Sequence, residues 1–297
     1  MNIAIIGGGA SGMAAALAAL ERTDNRVTIY ERQARLGKKL MATGNGRCNL
    51  SNRSELFPHY HGDRGFAMTA LDRFPADKTL EWFGSLGLMT VTEASGRVYP
   101  ASDTASSVLD CLRFALAERG AELVTDEIRY AASTGHGFVL RGAEEYRADR
   151  LIIAAGGAAG AKIGGSMSAY KLLAAFGHTS SPLTPALVQL KTDNRFTRAL
   201  KGVRCVCGVS LEQAGCVTAR SRGEVQFTDY GVSGPAVFDI SRAAACAEGD
   251  AAVVLDLFPE LDEADIIAYL HNKNRIFPMF WRRIFSRGLC TTPYPAC

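Results

Sequence analysis

The first 31 residues contain the feature that most limits how this chain can fold. The sequence Ile-Ala-Ile-Ile-Gly-Gly-Gly-Ala-Ser-Gly runs from Ile3 to Gly12, and a second strand-like run, Val27–Glu31, ends on an acid. A short apolar run that enters a glycine turn is typical of a buried parallel strand. The Ala-rich stretch between the two runs favours a helix, so residues 1–31 are predicted to form a βαβ unit.

Each glycine of this unit has a separate physical reason. Gly7 permits the tight turn, Gly9 lets the backbone approach a pyrophosphate, and Gly12 lets the helix pack closely on the strand. The free N–H groups at the start of the helix favour phosphate binding. Glu31 is placed to accept hydrogen bonds from ribose hydroxyls. The pattern predicts a dinucleotide site, and the alternative is a plain Gly-rich turn in an α/β fold.

Composition limits the remaining function classes. The chain has 297 residues, is 47% hydrophobic and carries a net charge of +3, which allows one or two domains with a real core. Dispersed charge predicts no nucleic-acid partner. A strand that begins at residue 2 leaves no room for a signal peptide, and no apolar run is long enough to span a bilayer. We therefore expect a cytoplasmic protein that does not bind membranes and acts on a small molecule.

The eight cysteines are scattered and form no CxxC motif, and the histidines show no metal-ligand spacing. No metal site is therefore predicted. Cys205 and Cys207 fall in an alternating strand pattern, so their thiols are expected on one face. The two interpretations of this pair are a structural role and a reactive one, and the first is favoured.

The hydrophobic pattern predicts three regions. These are a dinucleotide-binding domain over 1–187, an incomplete β-rich domain over 188–270 and an atypical tail over 271–297. Within the first region, Ala105–Arg119 has helical spacing, and short strands between Glu122 and Arg147 are predicted to form an antiparallel meander.

Gly37–Asn52 is too polar for a core helix and too dense in Gly and Asn for regular structure. Lys38, Lys39 and Arg47 could neutralise phosphate there, and the glycines leave N–H groups free to cradle a ligand. The alternative is a solvated surface loop.

Five ordered motifs resemble those of one family. They are the glycine start, the Gly-Asn-Gly-Arg-Cys-Asn-Leu-Ser-Asn segment at 44–52, Ile-Ala-Ala-Gly-Gly at 153–157, Thr-Pro-Ala-Leu-Val at 184–188, and the segment 223–235 with Phe-Thr-Asp-Tyr-Gly at 227–231. In this order they resemble the YhiN/BaiN-like NAD(P)/FAD-dependent oxidoreductases, also described as aminoacetone-oxidase-type flavoproteins. The resemblance covers roughly residues 1–265.

The resemblance implies a glutathione-reductase-type, Rossmann-like FAD-binding fold with an inserted β-rich domain. It implies FAD as the cofactor, NAD(P)H as a transient electron donor and a small-molecule acceptor. The residues it assigns to FAD are Gly7, Gly9, Ala10, Ser11, Gly12, Glu31, Arg32, Lys39, Gly46, Arg47, Cys48, Asn49, Leu50, Ile128, Ala155 and Gly156. In this assignment Gly7, Gly9, Ser11 and Gly12 would contact the pyrophosphate, and Glu31 would contact the adenosine ribose. Ile128 would contact the adenine through its backbone. Lys39 and residues 46–50 would line the flavin side. Ala155 replaces the threonine of the family's Ala-Thr-Gly turn, which removes a hydroxyl contact.

The family continues into a segment that returns to the FAD domain, and the sequence after 271 does not resemble it. The tail has no acidic residue after Asp265 and has two cysteines in its last eight positions. One interpretation is a reading-frame slip near residue 271, and the other is a basic amphipathic tail that binds a membrane surface or a partner. Without the returning segment we expect weak isoalloxazine binding and self-association through exposed apolar surface.

Three functions follow as alternatives. The first is a flavin-dependent oxidoreductase, the second a non-catalytic remnant of a disrupted gene, and the third an enzyme with a single NAD site. No catalytic acid or base is assigned. Arg47 could bind an anion or make structural contacts. Cys48 could be redox active or pack near the flavin. Asp229 and Tyr230 could donate protons or form a turn at a strand end.

Overall fold

The structure is a computed structural model that describes residues 1–54 and 60–276. Contacts between Cα atoms divide the chain into two compact units, the first comprising Met1–Ser180 and the second beginning at Ser181. The predicted domain boundaries after residues 187 and 270 stay predictions. Residues 277–297, which make up most of the predicted tail, lie outside the described residues.

A four-stranded parallel sheet forms the centre of the first unit. In order across the sheet, its strands are β10 (Arg150–Ile153), β1 (Asn2–Ile6), β2 (Arg26–Glu31) and β6 (Glu122–Thr125). The helices of this unit are α1 (Ala10–Ala19), α2 (Arg64–Arg73), α3 (Ala76–Ser85), α4 (Ala105–Glu118) and α5 (Ser168–Ala174). The predicted βαβ unit is confirmed, because α1 connects the adjacent parallel strands β1 and β2.

Side chains of β1 alternate between two cores. Ile3 and Ile5 pack with residues of α1 and α4 on one face of the sheet. Ala4 and Ile6 pack on the other face against an antiparallel sheet. That sheet contains β7 (Tyr130–Thr134), β8 (Gly137–Arg141) and β9 (Glu145–Ala148). The parallel sheet is therefore covered on both faces, which explains why β1 is apolar at every position from 3 to 6.

The predicted meander was wrong in its first strand. Glu122 and Val124 pair in parallel with Thr28 and Tyr30, so β6 extends the central sheet instead of the meander. Residues 126–129 are not in a strand, whereas a strand was predicted from Glu127. The sequence of a short apolar run does not reveal which strand it pairs with. In the structure β6 pairs with the edge of β2.

The segment after β2 is irregular, as its Gly and Asn content predicted. It contains a 3-10 stretch, Leu40–Gly46, with non-helical residues inside it. Backbone φ is positive at Gly44, Asn45, Gly46 and Cys48. A small antiparallel sheet follows, with strands β3 (Ser51–Asn52), β5 (Arg97–Pro100) and β4 (Thr90–Thr92) in that order.

The second unit is built on a five-stranded antiparallel sheet. Its strands, in order, are β11 (Leu190–Lys191), β14 (Gly231–Ser233), β13 (Cys216–Phe227), β12 (Arg204–Gln213) and β15 (Ala251–Asp256). Its helices are α6 (Asn194–Thr197), α7 (Pro235–Ala245) and α8 (Glu263–Ile276). With the parallel sheet of the first unit, this confirms the predicted fold class of a Rossmann-type α/β unit and a β-rich one.

Helix α7 covers one face of this sheet. Val237 and Ile240 pack against Cys207, Val209 and Leu211 of β12. Cys205 packs against the same core, as its predicted shared face with Cys207 requires. Burial, with the neighbouring Cys205, raises the pKa of the Cys207 thiol to about 12. The Cys207 thiol therefore stays protonated at neutral pH, and its burial in this core favours the structural interpretation.

No helix in residues 1–54 and 60–276 has both the length and the apolar character needed to cross a membrane.

Candidate functional site

The turn between β1 and α1 has the geometry of a phosphate-binding loop. Gly7 has φ +108°, and its N–H donates to the Tyr30 carbonyl at 2.8 Å. A Cβ at Gly12 would collide with the Gly7 carbonyl oxygen, so only glycine lets α1 start this close to the strand. Gly9 is the N-cap of α1, and neither a capping side chain nor an acid in the first turn compensates the helix N-terminus. The N–H groups and the positive dipole end there remain open to an anion.

Glu31 holds the glycine turn in shape. Its carboxylate accepts a hydrogen bond from the Gly8 N–H at 2.7 Å and another from the Gln33 N–H at 2.8 Å. A carboxylate has about four lone-pair positions, so capacity remains for two hydroxyl donors. The acid therefore both fixes the turn and lines the cavity described next.

A cavity of about 990 Å³ opens along this turn within the first unit. Its size suits a dinucleotide, since ligand cavities reach roughly 1,000 Å³. The predicted site residues that line it are Gly7, Gly9, Ala10, Ser11, Glu31, Arg32, Lys39, Cys48, Asn49, Leu50, Ile128, Ala155 and Gly156. Gly12, Gly46 and Arg47 do not line it. The structure thus brings together most of a set that spans 150 positions of the chain.

Four cations line the phosphate side of the cavity: Arg32, Arg35, Lys38 and Lys39. Arg32 donates to the Gly164 carbonyl at 2.7 Å, and Lys39 donates to the Ala159 carbonyl at 2.8 Å. Arg35 forms no ion pair with any residue in the described part of the chain. Arg32 also pairs with Glu127 at 3.7 Å. The charges of Arg35, Lys38 and Lys39 and the α1 N-terminus make this side positive, which suits a pyrophosphate.

The cavity end beside β6 carries a different set of groups. Ile128 is buried at the cavity wall in the link between β6 and β7. Asp126 accepts hydrogen bonds from the Ala143 N–H at 2.9 Å and the Tyr146 hydroxyl at 2.9 Å. The Ala143 bond is the main cause that lowers the pKa of Asp126. An apolar side chain beside fixed polar groups suits a purine base.

The opposite end is apolar. Leu40, Cys48 and Leu50 line it from the irregular segment, and Trp82 and Phe83 line it from α3. Burial raises the pKa of the Cys48 thiol, so this group stays a neutral, polarizable wall at neutral pH. The surface suits a flat aromatic ring system.

Two glycines provide a direct test of fit. A Cβ placed on Gly9 or Gly156 would meet no other atom of the described chain within 4 Å, although both glycines line the cavity. Gly9 has φ −80°, which any residue adopts, so glycine there keeps space open for a ligand. Gly156 has φ +76°, which by itself favours glycine. A dinucleotide with a second ring system fits this arrangement.

Comparison with known proteins places this site in a family. The sequence model described as the HI0933-like protein Rossmann domain matches residues 1–229. The one described as the HI0933-like protein barrel and H2TH domain matches residues 184–280. The chain belongs to the HI0933-like family. The predicted resemblance to YhiN/BaiN-type FAD oxidoreductases is confirmed.

Two curated proteins are similar to this chain over most of its length. One is the 3-dehydro-bile acid delta(4,6)-reductase of Clostridium scindens, with 39% identity over 100% of this chain and 70% of that protein. Another is the ribosomal RNA dihydrouridine synthase of Haemophilus influenzae, with 26% identity over 86% of this chain and 64% of that protein. The chain thus spans about two thirds of the length of these relatives.

Among solved structures, THI4 of Thermovibrio ammonificans aligns with a TM-score of 0.36 and 16% identity, over 53% of this chain and 57% of that chain.

Within this HI0933-like chain, Arg47 has structural contacts. Its guanidinium donates to Glu93 at 2.7 Å and to Asp103, and it lies 3.8 Å from the Tyr99 ring centroid. Because two carboxylates and a ring already engage it, Arg47 ties the irregular segment to β5 and the start of α4. This geometry favours the structural interpretation of Arg47 over the anion-binding one.

The geometry around Cys48 and Asp229 does not support the reactive roles that the sequence allowed for them. A lowered pKa was one interpretation of Cys48, and burial raises it instead. Asp229 pairs with Lys201 at 2.9 Å, and this contact is the main cause that lowers the pKa of Asp229. A carboxylate that stays ionised does not donate a proton at neutral pH. Tyr230 lines a separate cleft in the second unit.

Sequence reasoning missed several residues that line the cavity, chiefly Arg35, Asp126 and Trp82. The basic run after Glu31 was the signal for Arg35, since it continues the positive side of the turn. Asp126 and Trp82 had no local signal, because only the tertiary fold brings β6 and α3 to the cavity.

Proposed function

We propose that this chain is a flavin-dependent oxidoreductase that passes electrons from NAD(P)H through FAD to a small-molecule acceptor. The observation that carries the proposal is the single cavity that joins an open helix N-terminus, an acid beside it and an apolar end. A mononucleotide would leave one end of this cavity empty.

The residues present suggest where each part of FAD lies. The pyrophosphate would lie at Gly9–Ser11 with Arg35 beside it, the adenosine ribose at Glu31, and the adenine at Ile128. The isoalloxazine would lie against Cys48–Leu50, with Lys39 and the turn at Ala155 and Gly156 around it. When bound, FAD supplies hydride acceptance and electron transfer, which protein side chains cannot provide.

The chain's own residues orient and shield that chemistry. Lys39 fixes the backbone at Gly157 and Ala159 through its ammonium hydrogen bonds. The neutral Cys48 thiol and the apolar side chains around it keep water from the ring. No side chain is assigned as a catalytic acid or base.

The proposed acceptor is an amphipathic acid of the bile-acid class. The relative with 39% identity reduces a 3-dehydro-bile acid at delta(4,6), as its name states. Reduction of a carbon–carbon double bond that is conjugated with an oxo group is chemistry that a flavin can supply. We therefore propose a ring compound with such a group as the oxidised substrate.

The test is to purify the chain and identify the nucleotide that it releases on denaturation. FAD by absorbance and mass is the expected result, and NAD alone would favour the enzyme with a single NAD site. Anaerobic addition of NADH or NADPH should then bleach the visible absorbance of the oxidised flavin. A folded chain that neither retains nor binds added FAD would refute the proposal and favour a non-catalytic remnant.

A further inference from the structure

Six residues of the second unit line an open cleft of about 520 Å³. They are Leu187, Val188, Gln189, Lys191, Tyr230 and Phe238. The motif segments 184–188 and 227–231 both contribute residues to this cleft, and the family resemblance implied that the second of them shapes the substrate side. We propose that this cleft binds an acid with a rigid apolar body, the ligand class proposed above for the acceptor. The inference rests on the proposed function for that ligand class and adds a binding site in the second unit.

One wall of the cleft is apolar and held in shape by a buried hydroxyl. Leu187, Val188 and Phe238 supply the wall. The Val188 N–H donates to the Ser241 hydroxyl at 3.3 Å, and that hydroxyl donates to the Phe238 carbonyl at 2.7 Å. Ser241 is completely buried. The loop and α7 are therefore fixed against each other, and the wall is formed before any ligand arrives.

Leu187 presents its side chain from a strained backbone. Its φ is +55°, a region that favours glycine and asparagine over leucine. The residue is nevertheless 71% exposed, so packing within the unit does not explain why leucine is there. Strain of this kind is concentrated at ligand-binding positions. An apolar ligand that covers Leu187 would remove this side chain from water.

Three polar side chains, those of Gln189, Lys191 and Tyr230, line the cleft beside the apolar wall. Lys191 pairs with Gly231 in the β11–β14 ladder, which places it next to Tyr230. Within residues 1–54 and 60–276, neither the Lys191 ammonium nor the Tyr230 hydroxyl has a hydrogen-bond or ion-pair partner. The nearby Asp229 carboxylate does not compensate Lys191, because Lys201 already engages it.

This combination selects a class of ligand. The ammonium suits a carboxylate, the phenol donates to a ring oxygen, and the wall covers the rings. RNA binding requires several cations along a phosphate backbone, whereas this cleft contains a single cation. The chemistry therefore favours an amphipathic acid over a polynucleotide.

Calorimetric titration of the purified chain tests the proposal without turnover. The two probes are a 3-dehydro-4,6-diene bile acid and its methyl ester, which lacks only the charge. We expect the acid to bind about two- to fivefold more tightly than the ester, since an exposed ion pair contributes little. Lys191→Met should remove this preference and leave ester binding unchanged.

Two further variants separate binding from folding. Leu187→Asn replaces a strained residue with one that tolerates positive φ, so its unfolding temperature should stay equal or rise. Its affinity for both probes should fall about five- to thirtyfold with the lost apolar contact. Tyr230→Phe should weaken both probes about two- to tenfold. Lys171→Met, on an exposed position of the first unit, is the matched charge control and should change neither probe.

The outcomes separate this proposal from the proposed function. If the wild-type chain binds neither probe, or if the three cleft variants bind both probes as the wild type does, the cleft is not a binding site for this acid. Flavin content and NAD(P)H bleaching of the same samples report on the proposed function independently. A uridine-containing oligonucleotide that binds the wild type more tightly than the acid does, and loses affinity in Lys191→Met, would overturn the ligand class.

Discussion

Replacing Gly9 with alanine should separate cofactor binding from folding. Gly9 has φ −80° and ψ −175°, an extended conformation that any residue adopts. Its Cβ would meet no atom of the described residues within 4 Å, so the fold should accept it. An N-cap alanine costs up to about 1 kcal/mol relative to glycine. The lower entropy of the unfolded chain returns about 0.4–1 kcal/mol, and the free energy of unfolding should change by less than about 1 kcal/mol.

The effect on FAD should be larger. The new methyl group would fill the space through which the helix N-terminus approaches the pyrophosphate. Loss of one hydrogen bond to a charged group costs about 1.5–3 kcal/mol, which is roughly a 10- to 150-fold rise in Kd. Flavin fluorescence during titration of the flavin-free protein measures this Kd, and urea unfolding of the same protein measures stability.

Gly7→Ala is the contrasting variant. Gly7 has φ +108°, and a Cβ there would lie 2.5 Å from the Ala154 carbonyl oxygen. Strain alone costs about 1–3 kcal/mol, so this variant should lose stability as well as FAD affinity. If Gly9→Ala binds FAD as the wild type does, or unfolds as easily as Gly7→Ala, the assignment of the Gly9 space to the cofactor is refuted.

Three further changes probe the ends of the cavity. Arg35→Gln should weaken FAD binding about three- to tenfold and reduce the salt dependence of Kd, because an exposed cation beside the pyrophosphate is lost. Titration with FAD at two salt concentrations measures the Kd and its salt dependence. At pH 8 Cys48 in the native protein should resist alkylation by iodoacetamide, because burial raises the Cys48 pKa, while the exposed Cys216 should react. Mass spectrometry of the alkylated protein measures the labelling of each cysteine, and equal labelling of the two would contradict the prediction. Asp126 has a lowered pKa in the folded state. Its stabilising effect is therefore present above about pH 4 and is lost as the pH falls through the folded pKa. Urea unfolding at a series of acidic pH values should show that the stability difference between wild type and Asp126→Asn shrinks below that pH.

Local requirements explain what could be predicted from sequence. The turn at Gly7–Gly12 and the acid at Glu31 were predictable because each residue type follows from the backbone that it must adopt or approach. The structural role of Arg47 was not predictable in the same way. Its partners Glu93 and Asp103 are 46 and 56 positions away, and no periodic pattern connects positions at that separation.

The pairing of β6 with β2 could not be predicted from sequence either, and it determines which residues reach the cavity. Glu122–Thr125 has nothing in its sequence that distinguishes a meander strand from the edge of a parallel sheet. Because it pairs with β2, residues 126–128 lie at the carboxyl end of the sheet and reach the cavity. Had β6 joined the meander, as predicted, Ile128 would have had no reason to lie near Glu31.

The strand order then explains the polarity of the whole cavity. Across the sheet, β10, β1, β2 and β6 end in turn at Ile153, Ile6, Glu31 and Thr125. The residues just beyond these ends are the Ala155–Gly156 turn, the Gly7–Gly9 turn, the Glu31 carboxylate and Ile128. Ligands of open parallel sheets bind outside the carboxyl ends of the strands, so a bound dinucleotide would run along these four ends. In the proposed complex the flavin would lie beside β10, the pyrophosphate at β1, the ribose at β2 and the adenine beside β6. A dinucleotide in the reverse direction would put its ribose hydroxyls at a glycine turn and its pyrophosphate against the Glu31 carboxylate, where repulsion between like charges disfavours it.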